Sequence, residues 1–232
     1  MNIIGLYDGH NSNAALIKDG EIKKVIEEER FSRIKNHDGR VRGNTGPVNS
    51  VKYCLEGIEE NIDAIAIALE DPVTLTFNAY KSLINDAISN KKRRKRLLYL
   101  TEKQEHIYPM FGLDKSYHAL PEITQRKRID KIKRMLSELN LNHVPIIHIN
   151  HHVAHNASSY YTSGVKEGLA VSLDGRGDDI SGMIMHAENG EMKKLTTINF
   201  INSIAHFYSA ITVSLGFKPM RHEGKITGLA SY

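Results

Sequence analysis

Two histidines four residues apart are the first sign of chemistry in this chain. In the run Asn150-His-His-Val-Ala-His155, the rings of His151 and His155 project from one face if the segment is helical. A β-type run, Leu169 to Leu173, then delivers Asp174-Gly175 at its end. Two imidazoles and a carboxylate make up a 2-His-1-carboxylate site for a divalent metal. The histidine pair alone is a weak signal, because surface and core histidines show the same spacing. The strand-tip carboxylate strengthens it. Iron, zinc and manganese all suit such a donor set, and the sequence does not choose among them.

The same strand-tip dipeptide occurs at the start of the chain, where Leu6-Tyr7 leads into Asp8-Gly9-His10. Segments 6–25 and 172–195 match in plan: a strand ending in Asp-Gly, a polar loop, a second strand, a tight turn and a third strand. The turns, Asp19-Gly20 and Asn189-Gly190, are of the kind that closes two-residue hairpins. Their separation is far longer than a solenoid repeat. Two β-β-β units, each followed by helix, predict an α/β protein of two duplicated lobes facing each other. This is the plan of the actin, Hsp70 and sugar-kinase folds (ribonuclease H-like), with both Asp-Gly tips turned toward a nucleotide between the lobes. Asp-Gly is a common turn, and one copy carries little. Two in matching frames carry the argument.

These tips need elements to position them. Residues 63–69 (DAIAIAL) read as a parallel strand buried on both faces. Residues 48–60 read as an amphipathic helix. Ile146 to Ile149 is a short strand ahead of the histidine helix, which Asn150 caps and Gly164 and Gly168 close. A helix is expected over Ile201 to Phe217, with Gly216 near its end. Glu223-Gly-Lys225 reads as a polar loop entering a helix at Gly228-Leu-Ala. Lys225 there is an anchor for phosphate or carboxylate, or one half of a structural ion pair. Arg30, Arg33 and Lys35 either converge on an anion or solvate a strand end. Gly39 to Pro47 is Gly-rich and polar, and reads as a mobile loop.

Residues 71–142 differ, being helical, basic and poor in strand signals. Pro121 opens a helix through about Asn140, and its Ile129, Ile132, Met135, Leu136 and Leu139 form an apolar stripe. The segment reads as a helical insertion in the first lobe, either an acceptor-binding cap or a contact in an oligomer such as a homodimer. The expected division is therefore a first lobe at 1–145 with the insertion at 71–142, and an incomplete second lobe at 146–232.

Composition bounds the class. The chain has 232 residues, 41% hydrophobic and 25% charged, as ordinary globular proteins do. No apolar run approaches the roughly 20 residues that span a bilayer. The N-terminus enters a strand without a signal-peptide pattern. The single cysteine, Cys54, rules out an internal disulfide. A cytoplasmic protein with no membrane partner is expected. Cys54 lies with Val51, Leu55 and Ile58 at helical spacing, which favours core packing over catalysis. The net charge of +4 suits anionic ligands without requiring nucleic acid. The densest run, Lys91-Lys-Arg-Arg-Lys-Arg96, reads first as a solvated face and second as a nucleic-acid contact, since no recognised binding motif accompanies it.

Five blocks in order carry a family likeness. They are Gly5-x-x-Asp8-Gly9-His10-Asn11-x-x-Ala14-Ala15-Leu16, Glu27-Glu-Glu-Arg-Phe-x-Arg-x-Lys35, His151-His-x-x-His155-x-x-Ser158-x-Tyr160, Asp174-Gly175-x-Gly177-Asp178 and Glu223-Gly-Lys-x-x-Gly228-Leu-Ala. The chain resembles the N-terminal half of the O-carbamoyltransferases of nodulation-factor and antibiotic biosynthesis, which are related to the threonylcarbamoyl-transfer proteins that modify tRNA. The resemblance covers 1–232 apart from the helical insertion. It implies transfer of a carbamoyl group from carbamoyl phosphate to a hydroxyl of a small molecule or saccharide. The route runs through a carbamoyl-adenylate, made with ATP in a separate C-terminal domain and consumed in the metal-bearing one.

Residue by residue, the resemblance implies iron or a similar divalent ion on His151, His155 and Asp174. It makes His10 the base and places Lys35 at the carbamoyl phosphate or adenylate. Asp8, Gly9, Asn11, Asp174, Gly175, Gly177, Glu223, Lys225 and Gly228 fall in the blocks that line the nucleotide. The chemistry agrees. A hydroxyl is a poor nucleophile, and an imidazole titrating near about 6.5 takes its proton at neutral pH. A metal with open positions polarises the oxygens of the mixed anhydride. Cationic Lys35 and the Asp-Gly amides hold departing AMP. The family pattern continues past residue 232 with a further metal-binding aspartate and the adenylate-forming domain. It usually follows Gly-Leu-Ala with Pro-Tyr-Gly or similar, whereas the last residues here are Ala230-Ser-Tyr232. A C-terminal partner domain, in cis or in trans, is therefore expected, and this piece is not expected to act by itself.

Two other readings compete. A nucleotide or nucleic-acid modifier using the same carbamoyl chemistry would employ the run at 91–96. A nucleotide-binding module without transferase activity would carry no transition metal.

Overall fold

The computed structural model describes residues 1–41, 43–70, 121–178, 180–219 and 221–232, leaving aside the side chains of residues 121–125 and 201. The basic run at 91–96 and most of the expected insertion lie outside the described residues. The chain divides into two units. The first is built from Met1–Pro72 and Glu122–His151; the described part of the second runs from His152 to Tyr232.

The first unit is a five-stranded sheet in the order β3-β2-β1-β4-β5. The strands are β1 (Asn2–Tyr7), β2 (Asn13–Lys18), β3 (Glu21–Glu27), β4 (Ala64–Ile67) and β5 (Ile146–His148). β1, β2 and β3 form an antiparallel meander. β4 joins β1 in parallel, and β5 joins β4 in parallel. Asp19 (φ 52°) and Gly20 (φ 81°) close the first hairpin, both left-handed as a type I′ turn requires. Inward residues Ile4, Leu6, Ala14, Leu16, Ile65 and Ile67 meet two helices. One is α2 (Val48–Leu55), with Val51 and Cys54; the other is α3 (Pro121–Glu138), with Ile129, Ile132, Met135 and Leu136. The expected stripe is therefore buried, with Leu139 at its margin. Burial pushes the Cys54 thiol up to about 11, which makes it a packing residue without a reactive thiolate.

Polar anchors fix the segment between β3 and α2, which begins with the short helix α1 (Glu29–Ser32). Glu28 is fully buried, and its carboxylate caps α2. Oε2 accepts from the Ser50 amide and hydroxyl, both at 2.8 Å, and Oε1 accepts from the Asn49 side-chain amide at 2.7 Å. A helix start leaves amides unpaired, and this carboxylate supplies what Pro47 does not. His37 is also buried, with Nε2–H donating to Thr45 O and Nδ1 accepting from Ser32, both at 2.9 Å. Lys131 donates to the carbonyls of Gly39 and Asn44. The described part of 39–47 is thus a pinned loop, where glycine content alone suggested a mobile one. A Cβ at Gly39 would stand 2.7 Å from Asp8 O and 3.1 Å from Gly46 Cα, so glycine serves close packing there.

The second unit opens with the helix α4 (His151–Ser163), whose first residue is counted with the first unit. Gly164 (φ 74°) ends it. Three antiparallel strands follow in the order β6-β7-β8: β6 (Glu167–Gly177), β7 (Ile180–Glu188) and β8 (Glu191–Asn199). Asn189 (φ 51°) and Gly190 (φ 84°) repeat the type I′ turn. Tyr160 of α4 packs with Ala170, Met183, Met185 and Ala187. A 3₁₀ turn, Phe200–Asn202, precedes α5 (Ile204–Ser214), and α6 (Glu223–Leu229) follows. The helix expected from Ile201 starts later because the Ser203 hydroxyl caps it, accepting from the His206 amide at 3.3 Å.

Both units repeat antiparallel β-β-β followed by helix. The fold is α/β, with the repeated strand plan expected from the sequence. Among the described residues, no helix is long and apolar enough to cross a membrane.

Candidate functional site

Helix α4 and the far end of β6 position the three expected ligands. His151 and His155 lie one helical turn apart, and the helix presents both on one side. Asp174 lies where β6 loses register with β7, between the pairs Leu173↔Gly182 and Gly177↔Ile180. The strand was expected to end at Leu173, but it continues to Gly177 through this irregularity. Such bulges re-aim a side chain. His151, His155 and Asp174 each offer one ligand atom, and these atoms all lie within 4.8 Å of one another. Donors sharing one ion stand about 2.1 Å from it, so small rotamer changes suffice to close the set. Two imidazoles and a carboxylate fit iron, zinc or manganese. The Gly175 amide donates to Asp174 Oδ1 at 2.6 Å, which fixes the carboxylate. Ser203 Oγ donates to Asp174 O at 2.8 Å and ties the bulge to the start of α5.

The middle histidine of the run has a different task. His152 is fully buried; its Nε2–H donates to Ile180 O at 3.1 Å, and its Nδ1 is hydrogen-bonded with Ser172 Oγ at 2.9 Å. A carbonyl only accepts, so Nε2 carries a proton here. His152 thus clamps α4 to the sheet while its neighbours face elsewhere.

Two residues near Asp174 carried no sequence signal. Arg176 lays its guanidinium over the Phe200 ring, 4.7 Å from the centroid. His206 of α5 packs beside Gly175, with Nε2 3.6 Å from where a Cβ there would lie. Burial, then the charge of Arg176, holds the His206 imidazole below its usual pKa, and Asp174 partly opposes this. Arg176 fills the unspecified position between two motif glycines, and His206 lies on a helix of ordinary composition.

In the first unit the tip of β1 carries the other expected residues. His10 is exposed, and its backbone bridges to Asp38. Asn11 takes a left-handed conformation (φ 63°), which suits asparagine, and its carbonyl accepts from Asn13 at 2.8 Å. Gly9 is buried at the turn, and Ser12 Oγ donates to its carbonyl at 3.0 Å. Lys35 is exposed. Asp38, next to the His10 bridge, is held below the usual carboxylate range. Burial raises its pKa, but the hydrogen bonds and charge of Arg40 outweigh that.

Asp8 is engaged within the fold. It is buried, 2% exposed at its side chain, and paired with Arg128 of α3, which is 17% exposed. The contact is two-pronged, with Nη2 to Oδ1 at 2.6 Å and Nε to Oδ2 at 3.2 Å. This pair fastens α3 to the β1 tip. Asp8→Ala leaves the guanidinium without its carboxylate and is expected to cost about 3 kcal/mol of unfolding free energy. Pairing Asp8→Leu with Arg128→Met should recover most of that loss in urea titrations. A single-variant loss under about 1 kcal/mol would show the pair to be a surface-like contact.

The last block lies on α6, not in a loop before it. Glu223 begins the helix; its Oε1 accepts from Ser209 at 3.1 Å, and its carbonyl accepts from Tyr208 OH at 2.7 Å. Lys225 and Gly228 are exposed on the same helix. Gly177 is buried in its pairing with Ile180.

The whole chain, residues 2–232, matches the model of the carbamoyltransferase N-terminus. The chain belongs to this family. It is 28% identical over 99% of its length to an uncharacterised protein of Methanocaldococcus jannaschii, covering 33% of that protein. It is 29% identical over 96% of its length to one of Synechocystis, again covering 33%. It is 26% identical over 96% of its length to the nodulation protein NolNO of Sinorhizobium fredii, covering 28%. The chain thus spans about a third of the length of the curated relatives it matches. Among solved structures it is similar to YeaZ from Pseudomonas aeruginosa, with 12% identity and a TM-score of 0.43, over 86% of this chain and 68% of that one.

Proposed function

We propose that this chain is the part of a carbamoyltransferase that completes transfer of a carbamoyl group to a hydroxyl of a small molecule or saccharide. In this reading carbamoyl phosphate and ATP supply the group as carbamoyl-adenylate, made in a C-terminal domain joined to this chain or separate from it. The observation that carries the reading is the family match over residues 2–232. The gathering of His151, His155 and Asp174 supports it.

Each residue has a task in the proposed step. His151, His155 and Asp174 would hold a divalent ion, iron first, with zinc or manganese as alternatives. Such an ion, when bound, polarises the oxygens of the acyl group. His10 takes the proton of the attacking hydroxyl. Lys35 offsets the charge of the leaving nucleotide, whose bond to the carbamoyl carbon breaks as the new ester bond forms. Gly175 orients Asp174 through its amide.

The test uses the intact carbamoyltransferase, purified without chelator. It is expected to contain stoichiometric divalent transition metal and to convert ATP to AMP only when carbamoyl phosphate is present. A protein free of metal that also leaves ATP untouched would remove the reading and leave a nucleotide-binding module.

A further inference from the structure

In the first unit the carboxyl ends of β1, β4 and β5 lie side by side, because the three strands run the same way. The ladder continues one step past them. The Ala68 amide donates to Leu6 O at 3.2 Å, and the Ile149 amide donates to Ile67 O at 2.9 Å. Ligands of open α/β sheets gather outside such ends. Tyr7 closes β1 there, in the row of Ala68 and Ile149, and His151 follows two residues beyond that row. Ala68, between them, carries only a methyl group and does not bar a long side chain from crossing. The rings of Tyr7 and His151 lie 5.7 Å apart between centroids, inclined at 55°. That is inside the range of favourable aromatic pairing.

The same ring meets the turn that holds the proposed base. Gly9 is not among the glycines with a left-handed backbone, so conformation does not demand glycine there. Space does. A Cβ at Gly9 would collide with the hydroxyl and ring of Tyr7, standing 2.8 Å from its Cε1, and the three atoms nearest to it all belong to Tyr7. Tyr7 is half-buried, on the face of β1 opposite the core residues Ile4 and Leu6. Filling the apolar core is therefore not its task.

We propose that Tyr7 is a positioning residue of the metal site. Its ring sets the orientation of the His151 imidazole, and residue 9 is glycine so that the ring can lie there. The inference rests on the proposed metal site. An imidazole that binds a metal has to be held in one orientation, and groups that orient a ligand commonly change metal affinity by about 10–100-fold. Hydrogen bonds are the usual means, and here an aromatic ring acts on the imidazole. Because that ring also meets Gly9, one side chain sets a ligand and the turn before His10 relative to each other.

Cobalt(II) titration of the intact carbamoyltransferase, first freed of metal with a chelator, tests the proposal. Tyr7→Leu is expected to weaken cobalt binding about 10-fold. It should also alter the visible absorption of the bound ion, since His151 then meets it at another angle. Tyr7→Phe keeps the ring and should leave affinity and spectrum as in the wild type. Gly9→Ala should behave as Tyr7→Leu does, because its methyl displaces the ring, and the two changes together should weaken binding no more than either alone. Wild-type affinity and spectrum in Tyr7→Leu overturn the proposal. A loss in Tyr7→Phe as large as in Tyr7→Leu overturns it too and assigns the effect to the hydroxyl. Losses that multiply in the double variant overturn the role given to Gly9. A wild type that takes up no cobalt overturns the metal site itself and this inference with it, an outcome distinct from wild type and variants binding alike. No readout here involves carbamoyl transfer.

Discussion

His10→Ala is expected to lower carbamoyl transfer in the intact enzyme by about 10²–10⁴-fold, the range for loss of a positioned general base. Bound metal should be unchanged. His10 is tied to the fold through its backbone, which bridges to Asp38. The adjacent chain is held independently, with the Ser12 amide donating to His37 O at 2.9 Å and Ser12 Oγ accepting from the Gly39 amide at 3.1 Å. Truncating an exposed ring in this setting removes a proton acceptor without opening a cavity. Two readouts separate chemistry from structure. The pH–rate profile should lose the limb that reports deprotonation of the base, and added imidazole should restore part of the rate. Transfer at the native rate would assign the base to another residue.

Local signals were legible in the sequence, and distant partnerships were not. Asp19-Gly20 and Asn189-Gly190 declared their turns because only certain residues accept two successive left-handed conformations. The stripe Ile129, Ile132, Met135 and Leu136 declared its buried face because helical period fixes which residues share a side. The histidine pair did so for the same reason. Asp8 read as a ligand-facing carboxylate because nothing near it in sequence suggests a partner. Arg128 lies 120 positions away and reaches it only through the packing of α3. Glu28 and Glu29 carried no assignment in the sequence beyond their place in the motif that starts at Glu27. The fold spends Glu28 on the start of α2 and Glu29 on the amide of Asn36 at 2.8 Å. The loop at 39–47 looked mobile because its glycines were read as freedom, whereas Gly39 is required by the closeness of Asp8 O. In each case a pattern reports one element's own geometry, and a carboxylate's use depends on which element packs against it.

His155→Ala separates the proposed metal site from the fold and should have the largest effect on metal content. Removing one of three protein donors is expected to weaken divalent metal binding by about 100-fold or more, exceeding the usual effect of losing a residue that merely orients a ligand. The helix itself should persist. His155 is exposed, and alanine is the better helix former. Circular dichroism should therefore be unchanged, while mass-spectrometric metal content falls to background after dialysis. Thermal unfolding should show the same split. Metal that binds only the native state raises the midpoint by mass action, so the wild type should lose stability on chelation and His155→Ala should not. His152→Ala is the converse control. It removes two bonds between α4 and the sheet and leaves Ile180 O without the imidazole that donates to it, so it should unfold at lower temperature even though it is no ligand. If His155→Ala retained stoichiometric metal, the ion would sit on other residues, and the gathering of His151, His155 and Asp174 would be a polar cluster without a role in binding it.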